Sequence, residues 1–476
     1  MSAMAGSDRT SYAIGFADLE HEVVVDRLPI EGKMPPWLSG ALLRTGPAKF
    51  DLERQTVNHW FDGLAMLHRF GFADGQVSYR NRFLQSNSYR EATAAGALVR
   101  GEFATDPCRT LFQRVVAIFD AKLTDNCNVN INPLGGEAVA FTETTLPVRF
   151  DAETLETLGD YGYGPEVGGA VSIAHPHHDA KRRCQFSYVV EFGMKSRYRL
   201  FSIDDEGGAE CVVAEMPVDR PAYMHSFAMT EQYLVLVEFP LVVDSLRLKL
   251  AFEPFIRNYR WRPERRLRIH VFDKDGAGLL KSVETDPVFA FHHVNAFEDG
   301  DNIAVDLIAY RDAGIIDQLY LERLRACDPI DATGHLTRFM VPLLGAGDVF
   351  AIQIAEEMIE LPRIDYELCA GRGYRHVWGV GRRAKQDFLD TIVKIDAATG
   401  ETQSWWREHC YPGEPVFVAS PGRTREGDGV LLSVVLDARR ERSFLLVLDA
   451  MSLAEIARAE CPHHIPFGFH GNYFPA

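Results

Sequence analysis

Short stretches of strand-like residues run along most of the chain, and each one leads into an aspartate and a small turn. Residues 199–203 lead to Asp204, and residues 444–448 lead to Asp449. A second strand-like stretch follows each turn. Apolar and alternating stretches of this length are typical of β-strands, and Asp and Gly supply the backbone geometry that tight hairpins need. The pattern predicts a chain built mainly from β-hairpins.

This strand–aspartate–turn–strand unit recurs at spacings of 53 to 77 residues. The aspartates that mark it are Asp74, Asp151, Asp204, Asp273, Asp331, Asp396 and Asp449. Asp331 is the weakest member, because no clear strand precedes it. One hairpin per blade at such a period is typical of a β-propeller, although Asp-Gly hairpins also occur in other all-β proteins. We therefore expect an all-β fold, with a propeller as its architecture.

The domain prediction follows from this repeat. Length alone would suggest about three domains, but repeat architectures do not follow that rule. We expect residues 1–33 to be an N-terminal leader and residues 34–476 to be a single propeller domain. Helical signals are sparse, and short helices are predicted only at 319–325 and 356–358.

Composition narrows the classes of partner. The chain is 46% hydrophobic and 25% charged, which is ordinary for a soluble protein. Its 50 basic and 67 acidic residues give a net charge of −17, which disfavours nucleic acid and charge-driven binding to anionic lipid. The eight cysteines contain no CxxC pair, so a thiolate zinc site is not expected. With no signal-peptide pattern or bilayer-length apolar run, we expect a cytoplasmic protein.

Four histidine segments share one kind of context, in which bulky apolar residues lead into a polar site. They are centred on His175, His225, His292 and His470. His293 follows His292 directly, but adjacent side chains of a strand face opposite ways, so only one of the two can reach a given point. The innermost strands of a propeller line its axis, so histidines from different blades can converge there. Four neutral imidazoles suit Fe, Cu, Zn or Ni, whereas a single buried histidine is more often structural.

Together these segments resemble the carotenoid cleavage oxygenase family, and the resemblance extends from about Pro35 to Pro475. The residues that carry it are 59–63, 174–177, 224–227, 291–296 and 470–471. It implies a seven-bladed β-propeller with loops and short helices forming a cap over a central Fe(II). The iron ligands implied are His175, His225, His292 and His470. The family pattern selects His175 over His177 and His178, and His292 over His293.

The resemblance also implies three glutamates that orient three of the histidines. By motif they fall on Glu143, Glu360 and Glu414. The expected pairs are Glu143 with His225, Glu360 with His292, and Glu414 with His470. Without the family frame, each of these glutamates would be interpreted as a solvated surface charge.

The activity implied is that of a non-haem Fe(II) dioxygenase, which cleaves a conjugated C=C bond with O2 and yields two carbonyl products. The segments at 60–68, 82–89 and 124–130 look like those of the β-carotene oxygenase and retinoid isomerase branch. A carotenoid or apocarotenoid substrate is therefore expected. Three alternatives stay open: cleavage of a stilbene, isomerohydrolysis of a retinyl ester without O2, and a non-catalytic propeller scaffold. The stilbene branch anchors a phenol with Tyr and Lys, and Phe103 and Phe112 occupy the stretch where that Tyr would be sought.

Apolar and basic residues are interleaved over residues 239–261. This mixture predicts an interfacial patch at the mouth of a substrate tunnel, so peripheral membrane association is expected alongside a cytoplasmic location. The alternative is a core strand followed by a helix. The cleaved bond and the oligomeric state do not follow from the sequence.

Overall fold

The structure is a computed structural model that describes residues 12–107, 122–207, 210–250, 253–345, 347–384 and 386–476. Three parts of the sequence-based expectations lie outside the described residues. They are the first eleven residues of the leader, Phe112, and Phe252 in the predicted interfacial patch.

Seven antiparallel sheets of four to six strands form a seven-bladed propeller, as the sequence predicts. Blade 1 comprises Val24–Val25, Gly40–Lys49, Leu64–Ala73, Gln76–Phe83 and Gly471–Pro475; blade 2 comprises Asn130–Leu134, Glu137–Phe141, Val148–Phe150 and Thr157–Asp160; blade 3 comprises Val171–Ser172, His177–Asp179, Cys184–Glu191, Ser196–Asp204 and Glu210–Val218; blade 4 comprises Ala228–Met229, Tyr233–Glu238, Leu267–Asp273 and Leu279–Thr285; blade 5 comprises His293–Asp299, Asn302–Ala309, His335–Pro342 and Phe350–Met358; blade 6 comprises Glu360–Arg363, His376–Gly381, Thr391–Asp396 and Thr402–Trp406; and blade 7 comprises Ile30–Gly32, Cys410–Pro412, Val416–Ala419, Gly429–Asp437, Arg442–Asp449 and Glu455–Glu460.

The two ends of the chain close the ring of blades. The last strand, Gly471–Pro475, pairs antiparallel with Gly40–Lys49 in blade 1. The segment Ile30–Gly32 pairs with Glu455–Glu460 and becomes the outer strand of blade 7. Upstream of it, Tyr12 and Phe16 are buried in the main hydrophobic cluster. The N-terminal residues are therefore fastened to both the first and the last blade.

Six of the seven aspartates lie at or beside the turn between the third and fourth strands of a blade, counted outward from the axis. In blades 3 and 7 the two short inner segments that pair with the same strand count as one. Asp204, for example, ends Ser196–Asp204 and its Oδ1 accepts a hydrogen bond from the Glu206 amide. The prediction for Asp331 is wrong, since that residue lies in a loop before His335–Pro342 rather than between two paired strands. The third and fourth strands of blade 5 are joined by residues 343–349 instead.

Short helices and ribbons connect the blades. The predicted helix near 319–325 is present as Leu321–Ala326, but residues 356–358 end the edge strand Phe350–Met358, so that helix prediction is wrong. Pairing of Gln353 with Thr337 and of Met358 with His335 holds this stretch extended, against the local preference of two glutamates and a methionine for a helix. Within the described residues, the remaining helices and ribbons are Tyr12–Phe16, Trp60–Asp62, Asn87–Ala95, Ser245–Leu250, Phe255–Asn258, Pro263–Arg265, Gly314–Gln318, Tyr366–Cys369, Asp51–Leu52 with Gln55–Thr56, and Leu241–Val242 with Arg260–Trp261.

Candidate metal centre

Four histidines meet on the axis of the propeller, each from a segment that enters an innermost strand. His225 precedes the first strand of blade 4, His292 precedes that of blade 5, and His470 precedes the terminal strand of blade 1. His175 lies between the two inner segments of blade 3. One nitrogen of each lies within 4.8 Å of the others, and they form the one such group of potential metal ligands in the described part of the chain.

The spacing of these nitrogens fits a shared metal ion. Nε2 of His175 lies 3.0 Å from Nε2 of His225, and Nε2 of His292 lies 3.1 Å from Nε2 of His470. Two imidazole nitrogens that each lie about 2.1 Å from one ion, at right angles, are about 3.0 Å apart. The four side chains are close-packed, with the His175 and His470 ring centroids 4.4 Å apart.

Three of the histidines contact a glutamate through their other ring nitrogen. Nδ1 of His225 lies 2.5 Å from Oε1 of Glu143, Nδ1 of His292 lies 2.5 Å from Oε2 of Glu360, and Nδ1 of His470 lies 2.7 Å from Oε1 of Glu414. These are the pairs that the family resemblance implies. The four histidines belong to blades 1, 3, 4 and 5, and the three glutamates belong to blades 2, 6 and 7. Each of the seven blades therefore contributes one residue to the centre.

The tautomers follow from these contacts. A carboxylate only accepts, so each of the three Nδ1 atoms donates its hydrogen, and each Nε2 keeps its lone pair directed at the centre. Burial lowers the pKa of His470 to about 3 and lowers that of His175 well below its ordinary value. Burial alone would raise the pKa of Glu414, but Arg363 reverses this and holds it well below its usual range. Glu414 is therefore an ionised carboxylate beside a neutral His470. The four imidazole nitrogens form a donor set suited to a divalent transition metal.

Residues that the sequence reasoning missed hold the glutamates in place. The Tyr223 hydroxyl donates to Glu143 at 2.9 Å, and the Tyr310 hydroxyl donates to Oε1 of Glu360 at 2.9 Å. Glu414 instead accepts from Nε of Arg363 at 2.8 Å and lies 3.6 Å from Arg44.

No local sequence signal marks these supporting residues, because each is brought to its glutamate from a distant part of the chain.

The other histidines of the same segments point elsewhere. His177 contacts the Tyr366 hydroxyl at 2.9 Å and the Phe227 carbonyl at 2.9 Å. His178 is exposed and pairs with Asp205. His293 faces the Ser226 hydroxyl, at 2.8 Å from Nδ1. The strand alternation that separates His292 from His293 in the sequence argument is thus seen in the structure.

A cavity of about 980 Å³ borders the histidine cluster. His225, His292 and His470 line it directly. Its apolar wall includes Trp60, Phe61, Phe103, Val129, Phe192, Leu248, Phe255, Phe291, Ile315, Leu319, Ile330, Met358, Phe388, Leu389 and Phe469. A space of this size and polarity suits an elongated apolar ligand. Phe103, in the stretch where a phenol-anchoring tyrosine would be expected, is part of this wall.

The segment 239–261 is only partly a surface. Phe239, Leu241, Val242 and Val243 are buried in the main hydrophobic cluster, so the first part of the predicted patch is core. Its short ribbon pairs the buried Leu241–Val242 with the partly exposed Arg260–Trp261. The following helix, Ser245–Leu250, carries Leu246 at 58% exposure. Leu248 and Phe255 line the cavity, which places this helix at the cavity's rim.

Comparison with known proteins identifies the family. The sequence pattern of the retinal pigment epithelial membrane protein family (RPE65) matches residues 16–475. The chain belongs to this family. It is 33% identical to the mitochondrial carotenoid-cleaving dioxygenase of Macaca fascicularis, over 93% of this chain and 91% of that protein. It is 36% identical to the carotenoid isomerooxygenase of Galleria mellonella, over 94% and 93%, and 32% identical to the β,β-carotene 15,15'-dioxygenase of Gallus gallus, over 94% and 95%.

Solved structures of apocarotenoid oxygenases superpose on nearly the full length of the chain. A mutant of Synechocystis apocarotenoid oxygenase matches with a TM-score of 0.88 and 26% identity, over 98% of this chain and 100% of that chain. The cobalt-substituted Synechocystis enzyme matches with a TM-score of 0.86 and 26% identity, over 98% of each chain. Within the described residues, no helix is both long and apolar enough to cross a bilayer.

Proposed function

We propose that this chain is a non-haem Fe(II) dioxygenase that cleaves a conjugated C=C bond of a carotenoid or apocarotenoid with O2, giving two carbonyl products. The main observation in support of this function is the position of the histidine cluster, because three of the four histidines form part of the wall of a large apolar cavity. Relatives that share about a third of the sequence are carotenoid-cleaving enzymes by name. Shared family, donor set and cavity all support the same class of reaction.

His175, His225, His292 and His470 would hold the ferrous iron, which would supply the redox chemistry with O2. The donor set supports the ferrous state, because four neutral nitrogens without an anionic ligand give Fe(III) little extra stabilisation. Glu143, Glu360 and Glu414 hold the proton on Nδ1 of their histidines, so that Nε2 stays a donor.

The remaining chemistry of the chain is positioning. Reactions that join a bound substrate to a small reactant are accelerated by holding both in the reactive geometry. Aromatic side chains surround the space beside the cluster, with Phe61 and Phe291 at 5.8 Å between ring centroids and Phe291 at 5.8 Å from the His225 ring. These rings exclude water and bring one segment of a polyene against the cluster.

The wall of the cavity favours a polyene over a phenolic stilbene. Among the described lining residues, the tyrosine is Tyr310, whose hydroxyl is engaged by Glu360, and the lysine is Lys122, which pairs with Glu91. The Tyr310 hydroxyl hydrogen is already donated to Glu360, and the Lys122 ammonium is already shared with Glu91. The Phe103 side chain in the cavity wall offers no hydrogen bond.

The test is reconstitution with Fe(II) under anaerobic conditions, followed by air and a substrate panel. The panel contains β-carotene, an apocarotenal, a retinyl ester and a hydroxylated stilbene, and products are read by mass. Two carbonyl fragments whose masses sum to a polyene plus two oxygens support the proposal. A stilbene product, an isomerised retinol formed without O2, or no bound iron would each contradict it.

We also propose that residues 34–476 act as one catalytic unit with residues 1–33 as its leader, and that the rim helix Ser245–Leu250 touches a membrane surface. Burial of Tyr12 and Phe16 in the core supports the attachment of the leader. The exposed Leu246 beside cavity-lining Leu248 supports the membrane contact, because an apolar substrate dissolved in lipid would enter there.

A further inference from the structure

One short strand, Glu360–Arg363, contacts two of the three histidine–glutamate pairs. Oε2 of Glu360 lies 2.5 Å from Nδ1 of His292, and Nε of Arg363 donates to Oε1 of Glu414 at 2.8 Å. Glu414 in turn lies 2.7 Å from Nδ1 of His470. The innermost strand of blade 6 therefore bridges from the histidine of blade 5 to that of blade 1.

A regular strand could not make both contacts. Side chains alternate between faces along a strand, so residues three apart point in opposite directions. The register between Glu360–Arg363 and the neighbouring strand His376–Gly381 shifts within this segment: Glu360 is opposite Val380, but Arg363 is opposite Trp378. Three steps on one strand match two steps on the other, so this strand carries a β-bulge with one extra residue. The bulge brings Glu360 and Arg363 to the same face.

The bulge depends on an unusual backbone conformation at Leu361. Its φ is +48°, in the left-handed region that non-glycine residues rarely occupy. Opposite it, Gly379 leaves room, since a Cβ at that position would lie 2.6 Å from the backbone oxygen of Glu360. Strained backbone of this kind persists where the surrounding structure enforces it, and it is concentrated at functional sites.

Arg363 also grips the chain just after His470. Its Nη1 donates to Oδ1 of Asn472 at 3.1 Å, and its Nη2 donates to the Gly471 carbonyl. Glu414 is almost fully buried, with a side-chain exposure of 1%, and Arg44 is its more distant cation at 3.6 Å. A buried carboxylate that loses its close cation is destabilised, even where amide and imidazole donors remain. The guanidinium thus fixes both the carboxylate that orients His470 and the backbone that carries it.

We propose that Arg363, turned toward the axis by the bulge at Leu361, is a positioning residue that fixes the Glu414–His470 pair for metal binding. This inference rests on the proposed metal site, but not on the substrate or reaction. The other two glutamates are held by tyrosine hydroxyls, so Glu414 is the one of the three held by arginine side chains. Loss of the Arg363 side chain should therefore affect the ligand His470 and leave the His225–Glu143 and His292–Glu360 pairs intact.

The experiment measures Co(II) binding to metal-free full-length protein by competition with a chelator, together with the visible Co(II) spectrum. Replacement of a residue that orients a metal ligand typically lowers affinity about 10- to 100-fold. We expect R363M to lose affinity by that factor and to shift the spectrum, while R363K, which keeps a cation, loses less. The control is R372M, because Arg372 makes an exposed ion pair of the same 2.8 Å length with Glu231.

Leu361 provides an independent variant. L361G accepts a positive φ and should bind Co(II) like the wild type, whereas the β-branched L361V disfavours it and should behave like R363M. Melting temperatures of the metal-free proteins show whether each variant is folded. Wild-type affinity and spectrum in a folded R363M would overturn the inference while leaving the proposed function intact. Failure of the wild type to bind Co(II) would overturn both.

Discussion

Glu360 is the glutamate whose surroundings allow charge and hydrogen bonding to be separated. Its Oε2 accepts from Nδ1 of His292 at 2.5 Å and from the Leu361 amide at 2.8 Å, and its Oε1 accepts from the Tyr310 hydroxyl at 2.9 Å. In E360Q the amide oxygen can take the place of Oε2 and keep both donors. The amide nitrogen then faces Tyr310, whose hydroxyl can rotate to accept from it. E360Q should thus lose the charge and keep the contacts.

The magnitude follows from the kinds of bond involved. A hydrogen bond to a charged group contributes about 1.5–3 kcal/mol and a neutral one about 0.5–1.5 kcal/mol, so E360Q weakens the support of His292 by about 1–1.5 kcal/mol. That corresponds to about a tenfold loss of metal affinity. E360A leaves three buried donors without an acceptor, each costing about 1–3 kcal/mol. It should lose both metal affinity and stability.

The assay is a chelator competition with Fe(II) or Co(II), paired with thermal melting of the metal-free protein. E360Q should melt close to the wild type and bind metal about tenfold more weakly. E360A should melt lower and bind at least tenfold more weakly than E360Q. Equal metal affinity for E360Q and the wild type would refute the role of the carboxylate charge, and equal losses for E360Q and E360A would refute the separation of charge from contact.

Three further predictions follow from other parts of the molecule. H292A should abolish metal binding and oxygenation while the propeller still melts cooperatively. The control H178A removes an exposed histidine and should leave metal binding and oxygenation unchanged. Metal retained by H292A would contradict the ligand assignment. Burial lowers the pKa of His59 to about 3, below its unfolded value of about 6.5, so the stabilisation from neutral His59 is present above pH 6.5 and falls by about 2 kcal/mol at pH 5. Denaturant unfolding at the two pH values should show this fall in the free energy of unfolding. A H59Q protein that keeps the full acid sensitivity would contradict the prediction. L246D should reduce the fraction of protein that sediments with phosphatidylcholine vesicles more than L158D does. Leu158 on blade 2 is a matched control, because its exposure of 52% is close to the 58% of Leu246. Equal effects of the two substitutions would show that the rim helix is not the membrane contact.

The hairpins of this protein are determined by its sequence. Aspartates at 74, 151, 204, 273, 396 and 449 mark the outer turns because turn geometry depends on a few consecutive residues. At Asp331 the same turn chemistry is present without a strand before it, and the structure has a loop there. Residues 356–358 show the converse, since strand pairing across the sheet overrides a local helical preference.

The metal centre divides in the same way. The four histidines stand in recognisable local segments beside innermost strands, whereas the three glutamates are identified only through the family resemblance. Their convergence requires closure of seven blades, which no local pattern encodes. The contributions of Tyr223, Tyr310 and Arg363 depend on contacts between segments tens to hundreds of residues apart, and that of Arg363 also depends on a single left-handed residue.

The surface at 239–261 is the clearest case of a choice made by tertiary structure. Its mixture of apolar and basic residues is compatible with a core strand or with an interfacial helix, and both are present in succession. Residues 239–243 are buried because the sheet of blade 4 and its neighbours cover them, while Leu246 faces outward. The sequence by itself determined which residues are strand-like, turn-forming and ligand-like, since those properties are local. Packing decided which of them meet and which are exposed, because burial is a property of the assembled blades.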